Sequence, residues 1–344
     1  MMSKKFINQV SALLKTAGYQ GPFKLEPMSG GKNNRVFLCR QNNRIIGVLK
    51  QYYHNKGDLR DRLDTEWNFS KFLWNHKIQP IPKPVVSDLH NHIAFYSYIN
   101  GNKLIPEKIT KYHIDQAIDF YLSMNSFRQS EDAKLLPAAS EACFSLGDHI
   151  RLIDQRILNL KKIKSRSKID TNAREFVDME LLPVWDTIRN AICASDHNRS
   201  FPLNDAIPSA YRRLSPSDFG FHNTLEDTNG RLFFMDFEYA GWDDPAKMVC
   251  DFFCQPAIPV PRQFFPRIIE KIVRELNEPD IQRQRIELLL PVYQIKWCCI
   301  ILNEFLPLGR SRRVFTDSAL DLEVIKEGQL QKAINIVKQV SQKL

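Results

Sequence analysis

A short stretch past the middle of this 344-residue chain constrains the fold more than any other part of the sequence. Asp218 and Asn223 stand there in a D-x-x-x-x-N spacing, and an apolar run from Leu232 to Met235 follows them and ends at Asp236. The pair Asn229-Gly230, just before that run, is a strong short-range signal for a β-hairpin. The pattern therefore predicts a hairpin that carries Asp218 and Asn223 at its entrance and Asp236 at its exit.

The three polar residues of this hairpin match the needs of phosphoryl transfer. That reaction requires an acceptor hydroxyl aimed at the γ-phosphorus and a divalent metal that neutralises the phosphate oxygens. One carboxylate can orient the hydroxyl, while an amide and a second carboxylate supply the oxygen ligands that Mg²⁺ prefers. A single Asp in such a place is equally typical of a cap or a turn. The prediction therefore depends on all three residues in this order, followed by Gly241, Asp244-Pro245 and Asp251.

The arrangement resembles the paired signature of the aminoglycoside phosphotransferase and choline kinase superfamily, which has a protein-kinase-like fold. That signature is an H-x-D-x-x-x-x-N loop, then a metal Asp, then a G-x-x-D-P element, matched here by Gly241 to Pro245. The resemblance implies that Asp218 is the catalytic base or hydroxyl-orienting group and that Asn223 and Asp236 are metal ligands. The chain has Pro216 where the superfamily usually has His. We expect this loss to change loop packing more than chemistry, and it also fits a pseudoenzyme.

The first hundred residues follow the order of a nucleotide-binding lobe. Helical spacing of apolar residues predicts a helix over 4–17, after which the pattern changes to strands. Between two of these strands lie Ser29, Gly30 and Gly31, whose backbone N–H groups would cover phosphates in this role. A plain hairpin turn fits these three residues equally well.

Two charged residues extend the resemblance. Lys50 closes the third predicted strand, where the kinase template places the lysine that contacts the nucleotide phosphates. Apolar spacing predicts a helix from Asp58 to His76, and Glu66 lies within it, so we expect Glu66 to pair with Lys50. Taken singly, Lys50 also fits an edge-strand lysine and Glu66 a solvated helix residue.

A later strand runs into Asn100-Gly101 and marks the expected hinge between two lobes. In the superfamily the backbone of the matching strand hydrogen-bonds the adenine. The resemblance therefore makes Ser97, Tyr98 and Ile99 candidates for the purine edge. They fit the last strand of a small sheet equally well, and the two interpretations are compatible.

The remaining sequence has mainly helical periodicity, in residues 109–127, 146–163, 176–192, 264–276, 280–293, 297–306 and 321–343. We therefore predict an α+β, two-lobed protein-kinase-like fold. Residues 1–100 would form a nucleotide-binding lobe with a small antiparallel sheet, and residues 101–344 a mainly helical catalytic and substrate-binding lobe. Asp251 is expected to anchor backbone or the catalytic loop. The acceptor is expected among the helices after Asp236, with weak candidates that equally fit a core: Trp242, Tyr293, Lys296, Trp297 and Glu304.

Composition narrows the function classes. The chain is 43% hydrophobic and 25% charged, which is ordinary for a globular protein. No run of signal-peptide type is evident, and polar residues interrupt the best membrane candidate, Leu288 to Leu308, which better fits a buried helix. The seven cysteines are scattered without paired C-x-x-C spacing. We therefore expect a cytosolic protein without a transmembrane segment or structural zinc.

The formal net charge of +9 is the one unusual global property. A basic balance fits nucleic acid, an anionic membrane surface or a phosphate-bearing ligand, and ATP is the first of these to consider. The basic run from Arg156 to Lys168 fits a solvated helix face or a site for something acidic. Between Leu288 and Arg313 the only carboxylate is Glu304, which argues against a polycationic aminoglycoside as acceptor.

The predicted function is an enzymatic one. ATP (or GTP) would donate its γ-phosphoryl group, with Mg²⁺, to a hydroxyl of a small molecule, and Lys50 would hold the α- and β-phosphates. Expected partners are the nucleotide and a small hydroxyl-bearing substrate, without nucleic acid, and the sequence leaves acceptor and oligomeric state open. One alternative is a catalytically inert, nucleotide-binding pseudokinase that acts as an interaction module. Another, based on charge alone, is a nucleic-acid or membrane-surface binder.

Overall fold

The structure is a computed structural model that describes residues 3–28, 34–54, 60–194, 201–307 and 322–344. The chain forms two compact units. Unit 1 comprises Met1–Ser140 and Leu214–Trp242, and unit 2 comprises Glu141–Arg213 and Asp243–Leu344. The predicted division at residue 100 stays a prediction.

Unit 1 is built on a five-stranded antiparallel sheet. Its strands are β1 (Lys24–Met28), β2 (Arg35–Gln41), β3 (Arg44–Gln51), β4 (Pro84–Asp88) and β5 (Ile93–Tyr96), in the spatial order β1-β2-β3-β5-β4. Successive side chains of a strand point to opposite faces, so Leu49 and Lys50 of β3 face opposite sides of the sheet. The predicted small antiparallel sheet is confirmed.

One helix packs on each face of this sheet. Helix α1 (Lys4–Thr16) buries Val10, Leu13 and Leu14 in one apolar cluster with Leu49. Helix α2 (Arg62–Asn75) places Leu63 in a second cluster, with Tyr52, Ala94 and Tyr96 of the other face. The Asp61 carboxylate begins α2 by accepting the N–H of Asp64 at 2.9 Å, which satisfies one of the free donors of the first turn.

The predicted hairpin is confirmed. The remaining strands are β6 (Gly101–Lys103), β7 (Arg213–Ser215), β8 (Thr224–Asp227), β9 (Leu232–Phe234) and β10 (Gly241–Asp243). Strands β6, β8 and β9 form an antiparallel sheet, and β7 pairs with β10. Between β8 and β9, Gly230 has φ +76°, and Asp227 Oδ1 accepts the N–H of Asn229 at 2.8 Å and of Arg231 at 2.9 Å. Helices α3 (Lys111–Ser126) and α4 (Glu131–Lys134) complete unit 1.

Unit 2 is helical in the residues that the structure describes. Its helices are α5 (Leu146–Leu160), α6 (Lys168–Phe176), α7 (Leu182–Ala194), α8 (Pro245–Cys254), α9 (Phe265–Val273), α10 (Pro279–Ile301) and α11 (Leu322–Ser341). A π-helical turn, Val177–Leu181, joins α6 to α7. Helix α10 packs against α5, α7, α8, α9 and α11, so it is the centre of this unit.

Two sequence-based boundaries are wrong in unit 2. The helices predicted over 280–293 and 297–306 are one helix, α10, because polar Lys296 is buried against Asp251 and does not interrupt it. The basic run is not one helix face, because α5 ends at Leu160 and a connection follows until Ser167 caps α6. Among the described helices, only the segment Pro279–Phe305 is long and apolar enough to cross a membrane, and 56% of its most apolar window is buried.

A buried ion network holds α8, α5 and α10 together. Asp244 caps α8 by accepting the N–H of Ala246 at 2.8 Å. Its carboxylate also accepts from His149 Nε2 at 3.1 Å and from the Arg285 guanidinium. Burial alone would raise the pKa of Asp244, but Arg285 and His149 lower it to about 2. Burial alone would lower the pKa of His149, but Cys143 and Asp244 raise it to about 9.

This network predicts a pH-dependent stability of unit 2. Because the folded-state pKa of His149 is about 9 and the unfolded value is 6.5, its stabilisation is fully present below about pH 6.5 and is lost as the pH rises through about 9. The loss amounts to about 3 kcal/mol. Urea unfolding followed by Trp fluorescence between about pH 6 and 9.5 measures it. His149→Gln is expected to flatten the dependence.

Candidate active site

Three charged side chains of unit 1 meet at one point. Lys50 comes from β3, Glu66 from α2 and Asp236 from the segment after β9. Lys50 Nζ lies 2.6 Å from Glu66 Oε2 and 2.5 Å from Asp236 Oδ1. The sequence predicted the Lys50–Glu66 pair. The structure adds Asp236 as a second partner of Lys50.

The cluster is buried apart from Asp236. Burial alone would lower the pKa of Lys50, but Asp236 and Glu66 raise it well above its usual value, so the ammonium keeps its charge. Burial raises the pKa of Glu66 in spite of Lys50. The Tyr52 hydroxyl donates to Glu66 Oε2 at 2.8 Å and lies 2.8 Å from the Tyr96 hydroxyl. Glu66 is therefore fixed by two donors, and it in turn fixes the Lys50 ammonium.

Left-handed backbone occurs next to Asp218 and at Asp236. The φ angle is +66° at Ser217 and +69° at Asp236. Such conformations at residues other than glycine cost about 1–3 kcal/mol and persist only where other contacts enforce them. The N–H of Ser217 donates to Ser215 Oγ at 3.0 Å, and the N–H of Asp218 donates to the Pro216 carbonyl at 3.0 Å. The loop before Asp218 is therefore held by its own hydrogen bonds.

Asn223 connects the loop of Asp218 to Asp236. Its Nδ2 donates to the backbone oxygen of Asp218 at 3.0 Å and to Oδ2 of Asp218 at 3.3 Å. Its backbone carbonyl accepts the N–H of Met235 at 2.9 Å, directly before Asp236. The hairpin thus brings the three polar residues of the sequence motif into one region.

Asn223 and Asp236 are suited to be the protein ligands of a magnesium ion. The amide nitrogen of Asn223 faces Asp218, so its amide oxygen points the other way. Asp236 uses Oδ1 for Lys50, which leaves Oδ2 for a metal. Among the described residues no group of three or more His, Cys, Asp or Glu side chains is placed to hold a metal by itself. Mg²⁺ at nucleotide sites does not need one, because it takes one or two protein ligands together with phosphates and water.

The structure describes only some of the residues that were predicted to bind the nucleotide. Ser29, Gly30 and Gly31 lie outside the described residues. Ser97, Tyr98 and Ile99 directly follow β5 and are half-buried. The N–H of Ser97 donates to the Lys83 carbonyl at 2.9 Å, and Ser97 Oγ accepts the N–H of Lys83 at 2.8 Å. The backbone donor of Ser97 is therefore used within unit 1, so a purine would take its donor from Tyr98 or Ile99.

Sequence reasoning missed two residues beside the predicted ones. His222 Nε2 lies 3.2 Å from Asp218 Oδ1. Glu238, two residues after Asp236, is 1% exposed and accepts from Asn34 Nδ2 at 2.6 Å. A signal existed for both: a His inside the D-x-x-x-x-N spacing, and a carboxylate flanked by Phe and Tyr two residues after Asp236. Neither signal says what the side chain contacts.

The acceptor candidates fall in both units and make contacts within their own unit. Trp242 of unit 1 donates from Nε1 to the Ala133 carbonyl at 3.0 Å. Tyr293 of unit 2 is fully buried, and its hydroxyl lies 2.7 Å from His149 Nδ1. Glu304 is half-buried in the 3₁₀ turn Leu302–Phe305. Tyr293 is therefore a core residue, as the second interpretation held.

The prediction that Asp251 anchors backbone or the catalytic loop is wrong. Its carboxylate accepts from Lys296 Nζ at 2.8 and 2.7 Å and from Trp297 Nε1 at 3.0 Å. It therefore anchors two side chains of α10 rather than backbone or the catalytic loop. The reason is that a buried carboxylate requires a charged partner, and Lys296 is a buried cation of α10.

Comparison with solved structures identifies the fold. No family model matches the sequence, and no curated protein matches it. A choline/ethanolamine kinase family protein from Mesorhizobium loti is 17% identical, with a TM-score of 0.60, over 98% of this chain and 95% of that one. A spectinomycin phosphotransferase, solved with ADP and spectinomycin, is 10% identical, with a TM-score of 0.63, over 99% of both chains. A choline kinase from Cryptosporidium parvum is 12% identical, with a TM-score of 0.55, over 93% and 90%.

These structures match nearly the whole chain, including the antiparallel sheet of unit 1 and the helices of unit 2. At such low identity they establish architecture, whereas activity and acceptor require the residues of this chain. The chain therefore has the protein-kinase-like fold that choline/ethanolamine kinases and aminoglycoside phosphotransferases share, as its motifs predicted.

Proposed function

We propose that the protein is an ATP- (or GTP-) and Mg²⁺-dependent kinase that phosphorylates a hydroxyl group of a small molecule. The observation that supports it most is the single region of unit 1 that holds Lys50, Glu66 and Asp236 and, through the Met235–Asn223 hydrogen bond, Asp218. A nearly buried lysine shared by two carboxylates, one of them on Asp236 with its left-handed backbone, is not needed to stabilise a fold.

The proposed mechanism assigns one task to each side chain. Lys50 contacts the α- and β-phosphates, and Glu66 holds its ammonium in place. Asn223 and Asp236 would hold Mg²⁺, which would neutralise charge on the phosphate oxygens. Asp218 orients the acceptor hydroxyl and takes its proton. The bond from the acceptor oxygen to the γ-phosphorus forms as the bond to the β-phosphate oxygen breaks, so the products are a phosphorylated acceptor and ADP or GDP.

Charge pairing in unit 2 supports an acceptor that is not a polycation. Asp251 is paired with Lys296, Asp244 with Arg285, and the buried carboxylate of Asp243 with Lys247. A site for an aminoglycoside would need carboxylates that are not already neutralised. These pairs agree with the inference from sequence, which argues against a polycationic aminoglycoside and leaves the other small alcohols open.

Pro216 is the observation that favours a second candidate, the inert nucleotide-binding pseudokinase. The superfamily usually has His there, and Pro216 gives Asp218 only a carbonyl acceptor for its N–H. The two candidates share nucleotide binding and differ in transfer. The cytosolic location and the absence of a nucleic-acid partner stay predictions for either.

Thermal stabilisation by ATP, GTP and a non-hydrolysable analogue, each with and without Mg²⁺, tests the nucleotide site. We expect a Mg²⁺-dependent rise in the melting temperature of the wild type, because the ligand binds only the folded state. The rise is expected to disappear in Asp236→Ala. Asp132→Ala, a surface variant of unit 1, is the matched control and is expected to respond as the wild type does.

The outcomes separate the candidates. No shift with any nucleotide would contradict both of them. A shift without transfer to any member of a broad panel of alcohols, or to water, would favour the pseudokinase. A shift together with ADP formation supports the kinase and justifies a screen of small alcohols that are not polycations.

A further inference from the structure

His222 lies in the 3₁₀ turn Phe221–Asn223 and faces the carboxylate of Asp218. Its Nε2 is 3.2 Å from Oδ1 of Asp218, while Asn223 Nδ2 is 3.3 Å from Oδ2. The His222 side chain is 19% exposed and that of Asp218 is 32% exposed. One short turn thus supplies a nitrogen partner to each oxygen of this carboxylate.

The geometry decides which nitrogen of His222 carries a hydrogen. A carboxylate only accepts hydrogen bonds, so a contact between Asp218 and Nε2 is attractive only when Nε2 is the donor. Nδ1 is buried and has no hydrogen-bond partner among the described residues. A hydrogen on Nδ1 would be left unsatisfied there, at a cost of about 1–3 kcal/mol. Both sides of the ring therefore favour the tautomer with hydrogen on Nε2.

Pro216, the residue at the position of the His in the superfamily signature, cannot supply this donor. Pro216 has no N–H and no polar side chain, and it contacts Asp218 only as the acceptor of its backbone N–H. His222 approaches the same carboxylate from the other end of the loop, four residues after Asp218. The chain therefore has a His beside Asp218 although the His of the superfamily signature is missing.

We propose that His222 is a positioning residue for phosphoryl transfer: its Nε2–H holds Oδ1 of Asp218 while Asn223 holds Oδ2, which fixes the carboxylate in one orientation towards the acceptor hydroxyl. This role rests on the kinase function proposed above. Two nitrogen partners, one at each oxygen, oppose rotation of the Asp218 carboxylate about its last bond. Misalignment by about 1 Å is enough to lower a rate by about 10²-fold.

A measurement without turnover tests the contact. Long-range ¹H–¹⁵N NMR spectra of protein labelled with [¹⁵N]histidine distinguish the two tautomers, and His222→Gln identifies the signal of His222. We expect hydrogen on Nε2. Hydrogen on Nδ1 alone would overturn the contact, because Nε2 would then oppose a carboxylate oxygen with its lone pair.

Turnover tests the role. Because the acceptor is unidentified, the assay is ATP hydrolysis with Mg²⁺ and water as acceptor. His222→Leu removes the donor and is expected to lower kcat by about 10–10²-fold with little change in the KM for ATP. His222→Gln places an amide N–H at similar reach and is expected to recover most of that loss. The matched control is His76→Leu, since His76 Nε2 lies 3.0 Å from Asp132 with a side-chain exposure of 20%, and we expect wild-type kcat and KM.

The outcomes are separable. Equal kcat in His222→Leu and wild type, or equal losses in the Leu and Gln variants, would overturn the positioning role while leaving the kinase function in place. A wild type that binds nucleotide but transfers its phosphoryl group neither to water nor to any alcohol of a broad panel would overturn the role together with the kinase function. The melting temperature of each variant shows whether a loss of kcat reflects a loss of folded protein.

Discussion

Replacing Asp218 by Asn is expected to lower the rate of phosphoryl transfer by about 10²–10⁴-fold, the range typical of losing a general base. Asn keeps the size of the side chain but cannot take the acceptor proton. Its amide nitrogen must also face a donor, because His222 Nε2 lies against Oδ1 and Asn223 Nδ2 against Oδ2. The variant therefore loses both basicity and alignment.

Nucleotide affinity is expected to change little in Asp218→Asn, because orientation and proton acceptance act in the transition state. ADP formation gives kcat, and the Mg²⁺-dependent thermal shift reports nucleotide binding. Asp132→Asn is the matched control, since Asp132 also contacts a His Nε2, at 3.0 Å from His76. Activity of Asp218→Asn equal to that of the wild type would remove Asp218 from the mechanism.

Local signals explain what the sequence predicted well. The hairpin was predictable because Asn229-Gly230 fits a turn that needs left-handed backbone, and Gly230 has φ +76°. The helix that carries Glu66 was predictable because its apolar residues recur with helical period. Such signals depend on neighbours a few residues apart, so they survive without knowledge of the tertiary structure.

Contacts between distant residues explain what was missed. Lys50 and Asp236 are 186 residues apart, and only the resemblance placed them in one site. From sequence alone, the polar residue Lys296 predicts an interruption of the helix, because its buried partner Asp251 is not evident. The compact units combine segments from both halves of the chain, so no change of composition along the sequence marks their boundaries. Tertiary packing determines these features, and local sequence patterns do not predict it.

Replacing Lys50 by Met is expected to have the largest combined effect on stability and function. Lys50 Nζ is 2.6 Å from Glu66 Oε2, and the Glu66 side chain is only 7% exposed. Without Lys50 the buried carboxylate of Glu66 keeps only the Tyr52 hydroxyl as a donor among the residues that the structure describes. Leaving one partner of a buried ion pair uncompensated costs about 3–5 kcal/mol. We therefore expect a clear fall in the melting temperature, measured without nucleotide.

The double variant Lys50→Met/Glu66→Gln separates the structural from the functional contribution of Lys50. Gln removes the buried charge and still offers an oxygen to the Tyr52 hydroxyl, so part of the lost stability should return. Phosphoryl transfer should not return, because losing one preorganised charge donor costs about 10²–10³-fold in kcat regardless of how well the protein folds. If the double variant regained wild-type nucleotide binding and turnover along with its stability, Lys50 would be a structural cation and the proposed phosphate contact would be wrong. If it regained stability alone, the same buried ammonium that holds Glu66 and Asp236 together would also be the group that the nucleotide requires.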